Sequence, residues 1–268
     1  MLIGMKRPTI RTAATGLLAV LILGSILILT VGRWGNMYFY GATLAALLFA
    51  IVTLDVWRTA YGWSRALGAF VTVVILECVS IGASLYFGWP FGRFQYTGLL
   101  GWEILGLVPW TVPVVWTFIL AASLALTRPM SLPTNQKDRY SQTFSWCFDA
   151  ALFSTLLDAA IEPVAARVGL KIFAVQAGFQ GVPYQHMLGW FIVSFLCCAA
   201  ILAWTRGVML QGGLARPFTI GTLLLLAFWF ALALKFNLPL AIAFGFVMFF
   251  AVLYKQRLIG RREVIIQA

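Results

Sequence analysis

Leu67-Gly-Ala-Phe-Val-Thr-Val-Val-Ile-Leu-Glu77-Cys-Val-Ser-Ile-Gly-Ala-Ser-Leu-Tyr-Phe87 decides the fold: an uninterrupted apolar run with a single carboxylate at its centre. A helix crossing a bilayer needs about 20 such residues, and no soluble domain uses runs of this kind repeatedly. Working outward, comparable runs fall at 13–31, 37–56, 99–127, 146–166, 187–204, 217–234 and 238–254. The whole chain of 268 residues is 62% hydrophobic and 10% charged, where soluble chains average roughly 45–50% apolar and about 25% charged. It cannot cover itself with polar groups in water. The expected architecture is an all-α polytopic membrane protein of eight transmembrane helices, a single integral membrane domain over 1–268. The first run follows Lys6, Arg7 and Arg11 and lacks a small-x-small cleavage site, so it reads as an uncleaved span. Lys235-Phe236-Asn237, with Pro239 restarting the chain, makes the last two runs a tight helical hairpin.

Charge supports this division. Fourteen of the 19 Lys and Arg lie at the two ends and in the connections 57–66, 128–145 and 205–216, and five in the alternate connections. The positive-inside rule makes the richer face cytoplasmic. Both termini are therefore predicted inside, in a multi-pass protein of the cell membrane. The net charge of +11 is spread between apolar runs and calls for membrane lipid as partner, not nucleic acid.

The composition also excludes chemistry. One histidine, His186, rules out multi-histidine di-iron sites and H-E-x-x-H metalloproteases. There is no G-x-G-x-x-G and no P-loop, and Cys78, Cys147, Cys197 and Cys198 sit in apolar runs without C-x-x-C spacing, as small buried hydrophobes do. No metal and no cofactor is expected.

Eight acidic residues can be judged one by one. Asp138 in the 128–145 loop and Glu263 in the tail read as solvated. Asp55 and Arg58 form an i,i+3 interfacial pair, and Asp149 suits the first turn of the fifth span. The other four are costly. Glu77 stands ten residues into its run, about 15 Å deep, and Asp158 twelve into the fifth, about 18 Å from the same face. Glu162 follows Asp158 by four on one helix face, and Glu103 is placed one turn inside the fourth span. A carboxylate at mid-membrane costs about 2.5–3.5 kcal/mol and marks function by default. The plainer reading pairs these acids with Arg93, Arg167 or backbone donors.

The connections Phe87–Tyr96 and Gly178–His186 are rich in Gly, Pro and aromatics. Irregular backbone at this depth survives only when buried or lining a cavity, and here it supplies the candidate substrate contacts Arg93, Phe94, Tyr96, Trp102, Tyr184, His186 and Trp190. An interfacial aromatic belt is the plainer account of the rings, and an interfacial structural role that of His186. Tyr96–Trp102 and Tyr184–Trp190 share Tyr-x-x-x-Leu-Gly-Trp, each expected to enter a helix from the outer face, the pattern of a decayed repeat. Pro109 and Pro113 are expected to kink the fourth helix.

These residues carry a resemblance. Glu77 with Gly82, Phe91-Gly92-x-Phe94-x-Tyr96-Thr97-Gly98, Leu100-Gly101, Pro109, Asp158-x-x-x-Glu162-Pro163, Gly181-Val182-Pro183 and Leu188-Gly189-Trp190 together resemble the membrane carotenoid-biosynthesis hydratases over about 67–204. The chain departs from that pattern at His186, where asparagine is usual, at Lys171-Ile-Phe173, where tryptophans occur, and at Glu162, more often aspartate. The resemblance implies addition of water to the terminal isopropylidene double bond of an acyclic or monocyclic, lipid-embedded carotenoid, giving a tertiary alcohol. It leaves open association with other enzymes acting on carotenoids.

Such a reaction needs a carboxyl kept neutral in an apolar site to protonate the alkene, a carboxylate to orient and deprotonate water, and aromatic faces for the cation. Asp158 is assigned the proton and Glu77 the water, with Glu162 and Glu103 tuning them. A proton-coupled transporter also uses buried carboxylates, and an end-group cyclase shares the carbocation chemistry while excluding water.

Overall fold

The computed structural model describes residues 10–31, 37–129, 135–175, 178–210 and 212–267. Lys6, Arg7, Arg33 and the side chains of Arg261, Arg262 and Glu263 lie outside the described residues. Eight helices form the described chain: α1 Ile10–Val31, α2 Met37–Tyr61, α3 Trp63–Phe87, α4 Thr111–Leu126, α5 Gln136–Arg167, α6 Tyr184–Thr205, α7 Gly212–Lys235 and α8 Pro239–Gln267. Six are long and apolar enough to cross a membrane, and α1 and α4 contribute shorter apolar helices in their described parts. The all-α polytopic architecture holds.

The shortest helix is the post around which the bundle closes. All but two of the 16 residues of α4 are buried, and it packs against α2, α3, α5, α6, α7 and α8. A helix apolar all round belongs inside. Trp146 Nε1 of α5 donates to Leu124 O of α4 at 2.9 Å. The Asp55–Arg58 pair forms as expected at 2.6 Å, joined by Arg11 at 3.6 Å.

Several readings need correction. The run 99–127 is not one helix. Its first part is a two-stranded hairpin, β2 Glu103–Ile104 and β3 Val108–Pro109, and only then does α4 begin. Gly98, Gly101 and Gly106 all take positive φ, which an α-helix cannot accommodate. A Cβ on Gly101 would also lie 3.1 Å from Thr111 Cγ2. Pro109 therefore precedes the helix, and Pro113 sits in its first turn, where a missing N–H is harmless; neither kinks it. The two Tyr-x-x-x-Leu-Gly-Trp stretches consequently differ in structure, the first being strand and turn and the second the opening of α6. Finally, α5 starts at Gln136 instead of 146, capped by the Asn135 side chain accepting from Lys137 N–H at 3.2 Å. Asp138, not Asp149, occupies its first turn.

Two connections meet in a second ribbon. β1 Phe94–Tyr96 pairs antiparallel with β4 Lys171–Phe173, setting Phe94 opposite Phe173 and Tyr96 opposite Lys171. Thr97 Oγ1 donates to Gly169 O at 2.6 Å and Ala174 N–H to Arg93 O at 3.0 Å. The α3–α4 turn also seats on α6 through Gly189, where a Cβ would lie 2.7 Å from Pro90 O. Cysteines introduced singly in 88–98 and in the polar opening turns of α5 are expected to label from opposite sides of the membrane. Labelling from one side would overturn the eight-span topology.

Candidate functional site

The ribbon and the ends of α5 and α6 build one buried cluster. Asp158 and Glu162 lie one turn apart on α5 and share a face. Lys171 comes from β4, facing its own strand neighbour Tyr96 across the ribbon. His186 and Trp190 occupy the first two turns of α6. Asp158 and His186 are wholly buried, and Glu162 and Lys171 nearly so.

Glu162 Oε1 accepts from Lys171 Nζ at 2.6 Å. A buried pair with this geometry is worth little net, but removing one partner leaves an uncompensated charge. The Lys171 ammonium also lies 4.7 Å from the ring centre of Phe94, 5.3 Å from Tyr96, 5.7 Å from Phe173 and 6.0 Å from Trp190. These rings form a cation–π box. His186 is fixed as a neutral ring: Trp190 Nε1–H donates to its Nε2 at 2.8 Å, and its Nδ1 lies 3.1 Å from the Phe91 carbonyl it donates to. Its Nε2, 3.5 Å from Glu162 Oε2, therefore offers that carboxylate no proton.

Several polar atoms have no hydrogen-bond partner. Among the described residues these include both oxygens of Asp158, Oε2 of Glu162, Oε2 of Glu77 and the Tyr96 hydroxyl, five of the ten such buried side-chain atoms. Buried polar groups are nearly always satisfied, so this concentration marks a place for water or ligand. Glu77, buried on α3, has only a long contact from Cys197 Sγ at 3.7 Å to its other oxygen.

Donor atoms of Asp158, Glu162 and His186 fall within 4.8 Å of one another, a composition that can ligate a divalent ion. The arrangement does not suit one. Lys171 Nζ stands 2.6 Å from Glu162 and 3.5 Å from His186 Nε2, and that nitrogen already accepts from Trp190. The chain's own ammonium holds the cation's position.

Two cavities flank the cluster. One, of about 200 Å³, is walled almost entirely by apolar side chains of α1, α2, α4, α5 and α7, with Glu162, Lys171, Tyr96 and Trp190 as its charged and aromatic corner. Trp190 and Trp116 stack there at 4.1 Å. The other, of about 670 Å³, lies against the ribbon and is about half polar, with Arg93, Gln95 and Glu103 facing Leu85, Leu107 and Ile172.

Of the residues singled out in the sequence, the fold gathers Asp158, Glu162, His186, Phe94, Tyr96 and Trp190, with Glu77 adjoining. Glu103 is not in the fourth helix and does not join the other acids; it is exposed in β2 and lines the polar cavity with Arg93. Trp102 and Tyr184 are 70% and 72% exposed, away from the cluster. The expected cations Arg93 and Arg167 are both exposed, and Lys171 takes the role instead. Lys171 was visible only as a lone charge in the apolar stretch Leu170-Lys171-Ile-Phe173, which does not name its partner. Phe91, Phe173 and Trp116 gave no such signal.

Fold and site define a polytopic helical membrane protein with a buried charged cluster at the wall of an apolar cavity. The chain belongs to the carotenoid biosynthesis protein family, whose sequence pattern matches residues 35–252. Among curated proteins it is similar to the bisanhydrobacterioruberin hydratase of Haloarcula japonica, 30% identical over 128 residues. That match covers 46% of this chain and 41% of the relative, so the chain spans about two-fifths of that protein's length. No solved structure matches the chain.

Proposed function

We propose that the protein is a cofactor-independent carotenoid hydratase of the cell membrane. One observation carries the reading: an apolar cavity shaped for hydrocarbon ends on a buried cluster of unpartnered carboxyls. The polyene end group lies in the cavity with its terminal isopropylidene bond at the Glu162 corner. Asp158 holds the proton. Neither of its oxygens is paired, and it stands one turn from Glu162, whose charge is matched by Lys171, so ionising Asp158 as well would set a second, unmatched charge beside the first.

Glu162, not Asp158, meets the cavity wall, with a gap of at most 4.8 Å between their oxygens. One water making two hydrogen bonds of about 2.8 Å spans such a gap. The proton passes to the less substituted alkene carbon, the π bond breaks, and a tertiary cation forms beside the Trp190–Trp116 stack. Water adds through oxygen, and Glu77 takes the proton that the new hydroxyl sheds. The proton on Glu77 then returns to Asp158, restoring both acids, so no electron changes hands and no redox cofactor is called for.

The test is expression beside lycopene-type precursors, with the pigments weighed by mass spectrometry. Product heavier by one water per end group supports the hydratase. Unchanged mass with shifted absorption points to a cyclase, and unaltered pigment returns the buried acids to proton-coupled transport.

A further inference from the structure

The two cavities differ in kind, and among the described residues Tyr96 alone lines both. The smaller is apolar and can admit a polyene. The larger is open and about half polar, with Arg93 and Glu103 in its wall, so it has room and partners for water. We infer that this polar vestibule is the port through which the water reactant reaches the site, and that Tyr96 is its gate. The inference rests on the hydratase reading above.

The chemistry requires such a port. A hydratase draws one reactant from lipid and the other from water, and a tertiary cation that meets no water loses a proton and reverts to alkene. An apolar cavity cannot store the second reactant. The Tyr96 ring is half-buried, yet its hydroxyl is fully buried and has no hydrogen-bond partner in the protein. Its backbone is held opposite Lys171 in the ribbon, and its ring packs edge-on against Phe94 at 5.3 Å. The ring is thus fixed while its oxygen is free to bind a passing molecule. Burial, and then the neighbouring carboxyls led by Glu162, push the phenol well above its ordinary value. It stays a neutral donor and acceptor, as a relay for water must, and it shares the wall of the apolar cavity with Glu162 and Lys171.

Tyr96 is a positioning residue, so its test must separate water delivery from alkene protonation. In D2O the deuteron adds to the less substituted carbon. The cation then either binds D2O and sheds a deuteron, giving alcohol, or loses a proton from a neighbouring C–H, returning alkene that now carries deuterium. The ratio of deuterated alkene to alcohol reads how often the cation fails to meet water.

In Tyr96→Phe the hydroxyl is lost and the ring kept. Alcohol formation should fall about tenfold, the worth of one hydrogen bond, while deuterium exchange persists. An independent plug avoids touching the site. Ala174 is exposed in the vestibule, and Ala174→Cys modified by a bulky water-soluble thiol reagent should give the same rise in ratio against unmodified protein. Wild type treated in parallel accounts for the native cysteines. If alcohol and exchange fall together in both variants, or neither changes, the port is overturned. If wild type neither hydrates nor exchanges, the hydratase reading itself is overturned, a result separable from failure of the port.

Discussion

Asp158→Asn is expected to lower hydration by ~10²–10⁴-fold, the usual worth of a general acid–base group, and towards the upper end because an unactivated alkene is the proton acceptor. The amide keeps the shape of the side chain but has no proton to give. Asp158 is wholly buried with neither oxygen paired, so the substitution breaks no hydrogen bond in the protein and the variant should insert and melt like wild type. Glu77→Gln should have an effect of the same order through loss of the base, since its one contact is the long one from Cys197. Product per folded, membrane-inserted protein is the measurement. Near wild-type hydration by Asp158→Asn would transfer the proton to Glu162, the acid at the cavity wall.

The second large effect is on stability. Lys171→Met removes the partner that Glu162 Oε1 has among the described residues and leaves a buried charge uncompensated, a loss of ~3–5 kcal/mol. Its melting temperature in detergent should fall well below that of wild type, and activity should vanish. The double variant Lys171→Met with Glu162→Gln should recover most of the stability and none of the activity, because a neutral pair needs no partner. Two single losses that simply add in the double variant would mean that the pair is not coupled.

Lipid makes some features of such a chain legible and hides others. The 67–87 run and its central Glu77 reappear as α3 because length and apolarity alone specify a spanning helix. Asp158 and Glu162 were readable as one face because i,i+4 spacing is local. The run 99–127 misled because a segment apolar throughout has no periodicity to separate buried helix from buried hairpin; the positive φ of its glycines decided the matter. The start of α5 was missed because a polar helix at the membrane edge needs only a cap, which Asn135 supplies. Lys171 was counted as a topological charge, since its role depends on pairing with a strand 75 positions earlier in the chain, a non-local fact that no spacing rule contains.

That ribbon also sets the order in which the protein can be made. The Phe94 and Tyr96 rings are synthesised first, before α4; the acids follow on α5, and Lys171 comes only nine positions after Glu162. The acid and its counter-ion therefore enter the bilayer within one short segment, as a neutral couple, easing what would otherwise be a costly passage for Glu162. His186 and Trp190 arrive last, and until α6 is in place the neutral imidazole and the indole side of the cation box are missing. The cluster is thus incomplete until the sixth of the eight helices is made, and a nascent chain stalled before α6 would hold the Glu162–Lys171 pair without the ring that flanks it.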